Sequence, residues 1–192
     1  MKILVVYAHP CETSFHAALH RAAIKALQAN GHAVDDCDLY GEGFDPVLTR
    51  EERASYHDTA VNRRLVERHV ARLLDADAVV LCYPVWSYGP PAILKGYFDR
   101  LLIPGVAFDL VSGKLVRKLS CRRVAVVTSY GQPRWLAWLN GDPPRKLATG
   151  YLRQVFRPSG GVLYLAHYDM NRATQESRAR FLARVERAIG AI

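Results

Sequence analysis

Apolar residues form five compact runs along this chain, and segments with helical spacing lie between them. A near-continuous apolar run is typical of a strand that is buried on both faces of a sheet. The runs are Lys2–Ala8, a weaker Ala33–Leu39, Ala78–Tyr83, Arg123–Ser129 and Gly161–Ala166. Because helical patterns separate them, they predict strands that are connected by helices.

Capping residues mark where the helices begin. Ser14 can cap a helix that runs to about Ala29, and Thr49 with Glu52 has the spacing of a capping box. Further helices are predicted over 65–74, over 93–102, after Asp142 and after Thr174. The whole pattern predicts one α/β domain over residues 1–192. Its five-stranded parallel sheet would be doubly wound, with strand order 2-1-3-4-5.

Composition and charge narrow the class of protein. Half of the 192 residues are hydrophobic, but no apolar run approaches the roughly 18 residues of a membrane span. The N-terminal run has no cleavage site and is interpreted as a first strand. The net charge is +8, yet no nucleic-acid motif accompanies it, and a basic surface also attracts phosphorylated cofactors. We therefore expect neither a nucleic-acid-binding nor a membrane protein.

The four cysteines, Cys11, Cys37, Cys82 and Cys121, are widely spaced. They form no CxxC pair and have no histidine at metal-ligand spacing along the chain. This pattern predicts no metal site. It favours reduced and mostly packed thiols, as in a cytoplasmic protein.

Three unusual loops are expected to meet at one edge of the sheet. In doubly wound sheets the ligand binds beyond the carboxyl ends of the strands, at the switch point between strands 1 and 3. The loops that reach this edge are His9–His16, Pro84–Pro91 and Thr128–Asp142. Their coincidence predicts a binding site there.

The first loop suits a phosphate group. Thr13 and Ser14 offer hydroxyls, the helix that begins there offers free N–H groups, and His9 could add a contact. A plain helix cap beside a surface histidine is an equally good interpretation. The loop is neither a P-loop nor GxGxxG, which disfavours ATP and Rossmann-type NAD binding.

The other two loops suit a flat, mostly apolar ligand. Segment 83–100, YPVWSYGPPAILKGYFDR, has more aromatic, proline and glycine residues than a strand-to-helix connection needs. Trp86 and Tyr88 could form the floor of a pocket. In the third loop, hydroxyls, Tyr130 and a glycine could line a ring edge, and Trp135 could act as a lid. Packing of the tryptophans on the core is the alternative.

These residues carry a family resemblance over nearly the whole chain. His9 with Thr13-Ser14-Phe15, Pro84, and the run G-x-P-A-I-L-K-G-x-F-D-R at 89–100 resemble the flavodoxin-like NAD(P)H:quinone oxidoreductase family. That family includes potassium-efflux ancillary reductases. The resemblance implies a homodimeric flavoenzyme with FAD, or FMN, that uses NAD(P)H. Hydride would pass through the flavin to a quinone or related electrophile in a ping-pong cycle.

The resemblance also implies which residues hold the cofactor and the substrate, and it assigns no catalytic side chain. The residues expected at the flavin phosphates are His9, Thr13, Ser14, Phe15 and His16. Those expected beneath the isoalloxazine are Pro84, Val85, Trp86 and Ser87. Those expected at the ring edge are Thr128, Ser129, Tyr130 and Gly131. Arg178 is expected at the adenine-side phosphates, and the substrate pocket is expected at Tyr88, Trp135 and Asn140.

Two positions depart from the family pattern. Mammalian-type members place a Tyr and a His before a Gly-Asp pair to stabilise charge on the reduced flavin. Here Gly141-Asp142 is present, but Asn140 stands at the His position and Arg134 lies near the Tyr position. Charge stabilisation would come from Asn140, Arg134 or backbone N–H groups. Tyr130 also replaces a loop glycine, which would narrow the pocket.

Two other functions stay open at this point. One is a flavodoxin-type electron carrier, which the helix-rich segment before strand 3 and the aromatic third loop disfavour. The other is a flavin-binding regulatory subunit that docks on a membrane transporter. The choices between FAD and FMN, between NADH and NADPH, and among electron acceptors also stay open, although Arg178 favours FAD.

Overall fold

Five of the apolar segments pair as parallel strands at the centre of the computed structural model, which describes residues 1–192. The seven strands in chain order are β1 (Lys2–Tyr7), β2 (Ala33–Asp38), β3 (Ala78–Pro84), β4 (Phe108–Val111), β5 (Lys114–Arg117), β6 (Arg123–Ser129) and β7 (Val162–His167). The main sheet has the order β2-β1-β3-β6-β7, and all its pairs are parallel. With the β4–β5 pair set aside, this is the predicted 2-1-3-4-5 order, which is confirmed.

The β4–β5 hairpin was not predicted from the sequence. Its strands are antiparallel and are joined by a two-residue turn at Ser112 and Gly113, both with positive φ. Most of its side chains are exposed on both faces, so burial imposes no alternation of apolar and polar residues. The Ser-Gly pair was the one available signal, because such turns favour glycine.

Eight helices surround the sheet. They are α1 (Phe15–Ala29), α2 (Arg50–Ala54), α3 (Glu67–Asp75), α4 (Ala92–Leu101), α5 (Arg134–Leu139), α6 (Pro143–Lys146), α7 (Arg153–Phe156) and α8 (Gln175–Gly190). Helix α5 corrects the prediction that 128–142 is one continuous loop. Six residues carry too little amphipathic pattern to reveal a helix. None of the helices has the length and apolar character that a membrane crossing requires.

The predicted caps are present. The Ser14 hydroxyl accepts a hydrogen bond from the Ala17 N–H at 3.1 Å, and Thr49 forms both bonds of its capping box with Glu52. Thr174 caps α8 in the same way as Ser14 caps α1. Each of these helices therefore begins where its capping side chain fixes the first turn.

The sheet separates two hydrophobic cores. Along β1, Ile3 and Val5 face the core formed with α1 and α8, whereas Leu4 and Val6 face the core formed with α3 and α4. All four are at most 1% exposed. A strand buried on both faces shows no alternation, which explains the continuous apolar run in the sequence.

Helix α4 carries the most family-specific run, and it packs closely. An added Cβ on Gly96 would lie 2.2 Å from the carbonyl oxygen of Pro46, so only glycine fits there. At the end of the helix, the buried Arg100 donates to Glu52 Oε1 at 2.6 and 2.8 Å and to the Asp45 carbonyl. These contacts attach α4 to the segment 45–52. Gly96 and Arg100 therefore have a structural role.

Replacing Gly96 with alanine should therefore destabilise the fold. We expect Gly96→Ala to lower the free energy of unfolding by about 2–4 kcal/mol, since backbone cannot move aside as cheaply as a flexible side chain. Urea unfolding would measure the change. Gly150→Ala is the matched control, because an added Cβ there meets nothing within 4 Å. Equal stability of the two variants would contradict the close contact.

Candidate functional site

Three loops meet at the carboxyl edge of the sheet through direct side-chain contacts. The His9 ring lies 5.8 Å from the Trp86 ring and 6.0 Å from the His16 ring, centroid to centroid. His16 Nε2 is 2.9 Å from Ser129 Oγ, and the Val85 N–H donates to the Ser129 carbonyl at 2.9 Å. The loops after β1, β3 and β6 thus form one connected surface at the switch point.

The first loop leads into the N-terminus of α1, where backbone N–H groups lack a hydrogen-bond acceptor. The Cys11 N–H donates to His9 Nδ1 at 3.0 Å, which folds the loop back toward the strand. In the first turn of α1, the N–H groups of Phe15 and His16 have no acceptor in the chain. Thr13 is exposed beside them. The 15-residue helix adds a partial positive charge, so this loop can bind an anionic group.

His16 contributes no charge to that anion site. It is 3% exposed, and burial lowers the pKa of its imidazole to about 3. Its Nδ1 lies 3.9 Å from Cys82 Sγ and its Nε2 contacts Ser129. The neutral ring therefore holds the end of β6 against α1. Burial also lowers the pKa of His9.

The second loop contains a tight, left-handed turn. Trp86 and Gly89 exchange two backbone hydrogen bonds of 2.9 and 3.0 Å around Ser87 and Tyr88. Both central residues have positive φ, 47° and 57°, a region that costs an L-residue about 1–2 kcal/mol. The Tyr88 hydroxyl then donates to Gln132 Oε1 at 2.8 Å. The turn fixes the Tyr88 ring between the second and third loops.

The second and third loops, with one residue after β7, line an open cavity of about 300 Å³, and its lining residues are Val85, Ser87, Tyr88, Tyr130, Gly131, Gln132 and Asn171. Five of the seven are among the residues named from the sequence. Gln132 was in the third loop but was not singled out. Asn171 was missed because the loop after β7, which also reaches this edge, was not considered as part of the site.

Two residues expected in the substrate pocket lie outside this cavity. Trp135 is on α5 and is 66% exposed. Asn140 ends the same helix, and its side-chain amide donates back to the Leu136 carbonyl at 2.8 Å. Within a single chain, only Tyr88 of the three expected residues lines the cavity.

Tyr130 is fixed by a buried hydrogen-bond network. Its hydroxyl is 2.6 Å from Asp142 Oδ1 and 2.5 Å from the Tyr164 hydroxyl, and its ring stacks on Tyr168 at 4.5 Å. Burial, followed by the hydrogen bond to Asp142, raises the pKa of Tyr130, so the phenol stays protonated. At a position where the family has glycine, this chain has a ring held rigidly in the cavity wall.

Arg178 lies in the first turns of α8, next to the segment that follows β7. Its Nη1 donates to the Ala173 carbonyl at 3.3 Å. Burial, followed by the charge of Arg178, lowers the pKa of His167, whose ring lies 5.8 Å from the Phe15 ring. Thr128 and Pro84 are buried at the ends of their strands. The residues predicted around the flavin therefore surround one edge, with His167 as an additional neighbour.

The fold defines a doubly wound α/β protein, and the candidate site lies at the switch point of its sheet. The chain belongs to the Flavodoxin_2 family, described as a flavodoxin-like fold, whose model matches residues 1–189. Proteins named NAD(P)H oxidoreductase and NAD(P)H:quinone oxidoreductase are among its relatives.

An uncharacterised NAD(P)H oxidoreductase of Haemophilus influenzae is 34% identical over 132 residues, which cover 68% of this chain and 65% of that protein. Smu.1420 of Streptococcus mutans has a solved structure with a TM-score of 0.87 and 29% identity, and all of both chains is covered. The NAD(P)H:quinone oxidoreductase of Methanothermobacter marburgensis has a TM-score of 0.82 and 26% identity, covering 99% of this chain and 94% of that one. The chain spans less than two thirds of the length of the first curated relatives that it matches.

The buried, neutral His16 should make stability depend on pH. Below its ordinary pKa of 6.5 the unfolded chain binds a proton that the folded chain, with its pKa of about 3, does not. Stability from this residue is therefore present above pH 6.5 and is lost as pH falls toward 3, by up to about 1.4 kcal/mol per pH unit. In His16→Gln, urea unfolding between pH 7 and 4 should show a shallower decline.

The exposed His57 provides the control, because His57→Gln removes a histidine that folding does not bury. That variant should follow the wild-type curve. Parallel curves for wild type and His16→Gln would mean that His16 is not held neutral in the folded state.

Proposed function

We propose that this chain is a flavin-dependent NAD(P)H oxidoreductase that reduces a quinone or related electrophile. The observation that carries the proposal is the contact series Trp86–His9–His16–Ser129. It joins the helix terminus of the first loop to the second and third loops, whose adjoining residues line the cavity. A phosphate and a flat ring system linked to it would fit this combination. The Haemophilus and Methanothermobacter relatives, by the names they carry, support the reaction class.

The residues present fit a flavin. Its phosphate would lie at the free N–H groups of Phe15 and His16, beside the hydroxyls of Thr13 and Ser14, where an orphaned helix terminus is available. The isoalloxazine would lie against the backbone of 84–87, with its edge toward 128–131. When bound, a flavin supplies hydride acceptance and donation, and the protein supplies orientation and a partly dry surface.

In this proposal the side chains of the chain bind and position rather than react. Tyr88 and Tyr130 shape the cavity, and their hydroxyls are already satisfied by Gln132 and Asp142. The family's Tyr/His pair is absent, so charge on the ring would be stabilised by backbone N–H groups of the third loop. The side-chain amide of Asn140 is engaged with its own helix.

We propose FAD rather than FMN. Support comes from His167, whose ring lies beside Phe15, and from Arg178, whose charge acts on His167, because together they would extend the site beyond a single phosphate. A second phosphate and an adenosine would need such an extension, and a guanidinium suits a phosphate. The mass of the flavin released on denaturation distinguishes the two cofactors directly.

We also propose a homodimer. Helix α5 exposes Trp135, Trp138 and Leu139 by 66%, 76% and 67%, which is unusual for a surface that faces water alone. A second copy packed on α5 would cover these side chains and close the open side of the cavity. Trp135, expected from the sequence in the substrate pocket, would then reach a pocket shared by two chains.

Direct reduction by nicotinamide cofactor tests the proposed function. When the flavin-loaded protein is mixed anaerobically with NADPH or NADH, the flavin absorbance should bleach with no partner reductase present. Adding a quinone should restore it. A flavin that stays oxidised with both nucleotides would contradict the enzyme and would favour an electron carrier or a regulatory subunit.

The phosphate position is tested by Ser14→Asp. Aspartate is as good an N-cap as serine, so the helix should form, but the new carboxylate would face the flavin phosphate. We expect flavin affinity to fall at least tenfold, measured as flavin retained after dialysis. Repulsion of two charges at about 4 Å near a protein surface is about 4 kcal/mol, and tenfold requires about 1.4 kcal/mol.

Ser14→Asn is the matched control, because asparagine caps a helix as well as aspartate does and has nearly its size without the charge. It should retain the flavin. Full retention in Ser14→Asp would place the phosphate elsewhere.

A further inference from the structure

A second cluster of chemically capable side chains lies away from the proposed flavin site, beside the edge strand β2. It consists of Cys37 near the end of that strand, Glu42 in the following turn, and His69 on α3. The Sγ, carboxylate and imidazole ligand atoms all lie within 4.8 Å of one another. Nothing in the proposed flavin reaction uses them.

The imidazole of this cluster lacks a hydrogen-bond partner. His69 Nε2 is buried and forms no well-aligned hydrogen bond, and its neighbour Glu42 Oε2 lies 3.3 Å away. The His69 ring is held edge-on by Phe44 at 5.0 Å and Tyr97 at 6.3 Å. The hydroxyl of Tyr97, a residue that is 2% exposed, also has no partner. Buried polar atoms without partners are uncommon, and a bound ion is one way to satisfy the imidazole nitrogen.

Arg72 orients the carboxylate without saturating it. Its guanidinium donates to both oxygens of Glu42 at 2.7 and 2.8 Å and to both oxygens of Asp35. A carboxylate accepts about four hydrogen bonds, so Glu42 keeps lone pairs that Arg72 does not use. Ligands whose orientation is fixed by such outer contacts are typical of metal centres.

We propose that Cys37, Glu42 and His69 bind one divalent transition-metal ion of the zinc class, with water as the fourth ligand. Thiolate, imidazole and carboxylate are the ligands that Zn²⁺ takes in proteins, at about 2.0–2.3 Å. Bond lengths of that size separate neighbouring ligand atoms by about 3.5 Å. His69 and Glu42 are already that close, and Cys37 requires a shift of about 1 Å.

Metal binding replaces a proton. In the metal-free chain Cys37 is a buried free cysteine. On binding, the S–H bond breaks, the proton leaves to solvent, and the sulfur forms the bond to the metal. The ion adds two positive charges and the thiolate one negative charge. Asp35 and Glu42, set against Arg72, leave one negative charge to offset this gain. Arg68, 3.5 Å from Glu42, lies largely in solvent.

Cobalt substitution of the full chain tests the proposal. Reduced, chelator-treated protein should bind one Co²⁺ and develop a near-ultraviolet thiolate-to-metal charge-transfer band, read against the flavin as a difference spectrum. In Cys37→Ser the band should disappear. Zn²⁺ affinity, measured by competition with a chromophoric chelator, should fall at least about 100-fold in Cys37→Ser and His69→Gln, since even outer contacts cost about 10–100-fold.

Two cysteine controls separate this cluster from other thiols. Cys11→Ser changes the exposed cysteine and Cys121→Ser changes another buried one, and both should retain the band and the affinity. Thermal unfolding without metal shows whether each variant folds. Absence of a charge-transfer band in the wild type, or its survival in folded Cys37→Ser, would overturn the proposal.

Discussion

The site depends on the parallel pairing of β1 with both β2 and β3, because this pairing sets where the order of strands across the sheet reverses. Leu4 of β1 pairs with Asp35 of β2 on one side and with Val79 of β3 on the other. The order of strands therefore extends from β1 in both directions across the sheet. The loops that leave β1 and β3 must diverge over opposite faces of the sheet. A crevice at this point follows from topology before any particular side chain is considered.

Particular residues then convert the crevice into a site. His16 is buried between the first helix and Ser129, and it ties the phosphate loop to the end of β6. Tyr130 has a comparable role on the opposite wall, where Asp142 and Tyr164 fix its hydroxyl. The site is therefore built on packed elements rather than on free loops, which favours precise placement of a bound ring.

Local signals predicted the sheet, the caps and most of the cavity, because these features depend on residues close together in sequence. Ser14 and Thr49 fix their helix termini whatever lies elsewhere in the chain. The exposed β4–β5 hairpin and the short α5 lack a burial pattern and so left no clear signal. Asn171 and the cluster around Cys37 depend on contacts across the fold, which spacing along the chain does not encode. His69 lies 32 positions after Cys37, so a search for local metal motifs passes over the pair.

The left-handed turn at Ser87 and Tyr88 affects the conformational free energy that ligand binding costs. The Tyr88 ring is held by backbone conformation and by Gln132 before any ligand arrives. An incoming planar molecule therefore does not have to immobilise a free aromatic side chain, a step that costs about 0.5–1.5 kcal/mol in a flexible site. That conformational cost is met once, during folding, and is not repeated in each binding event.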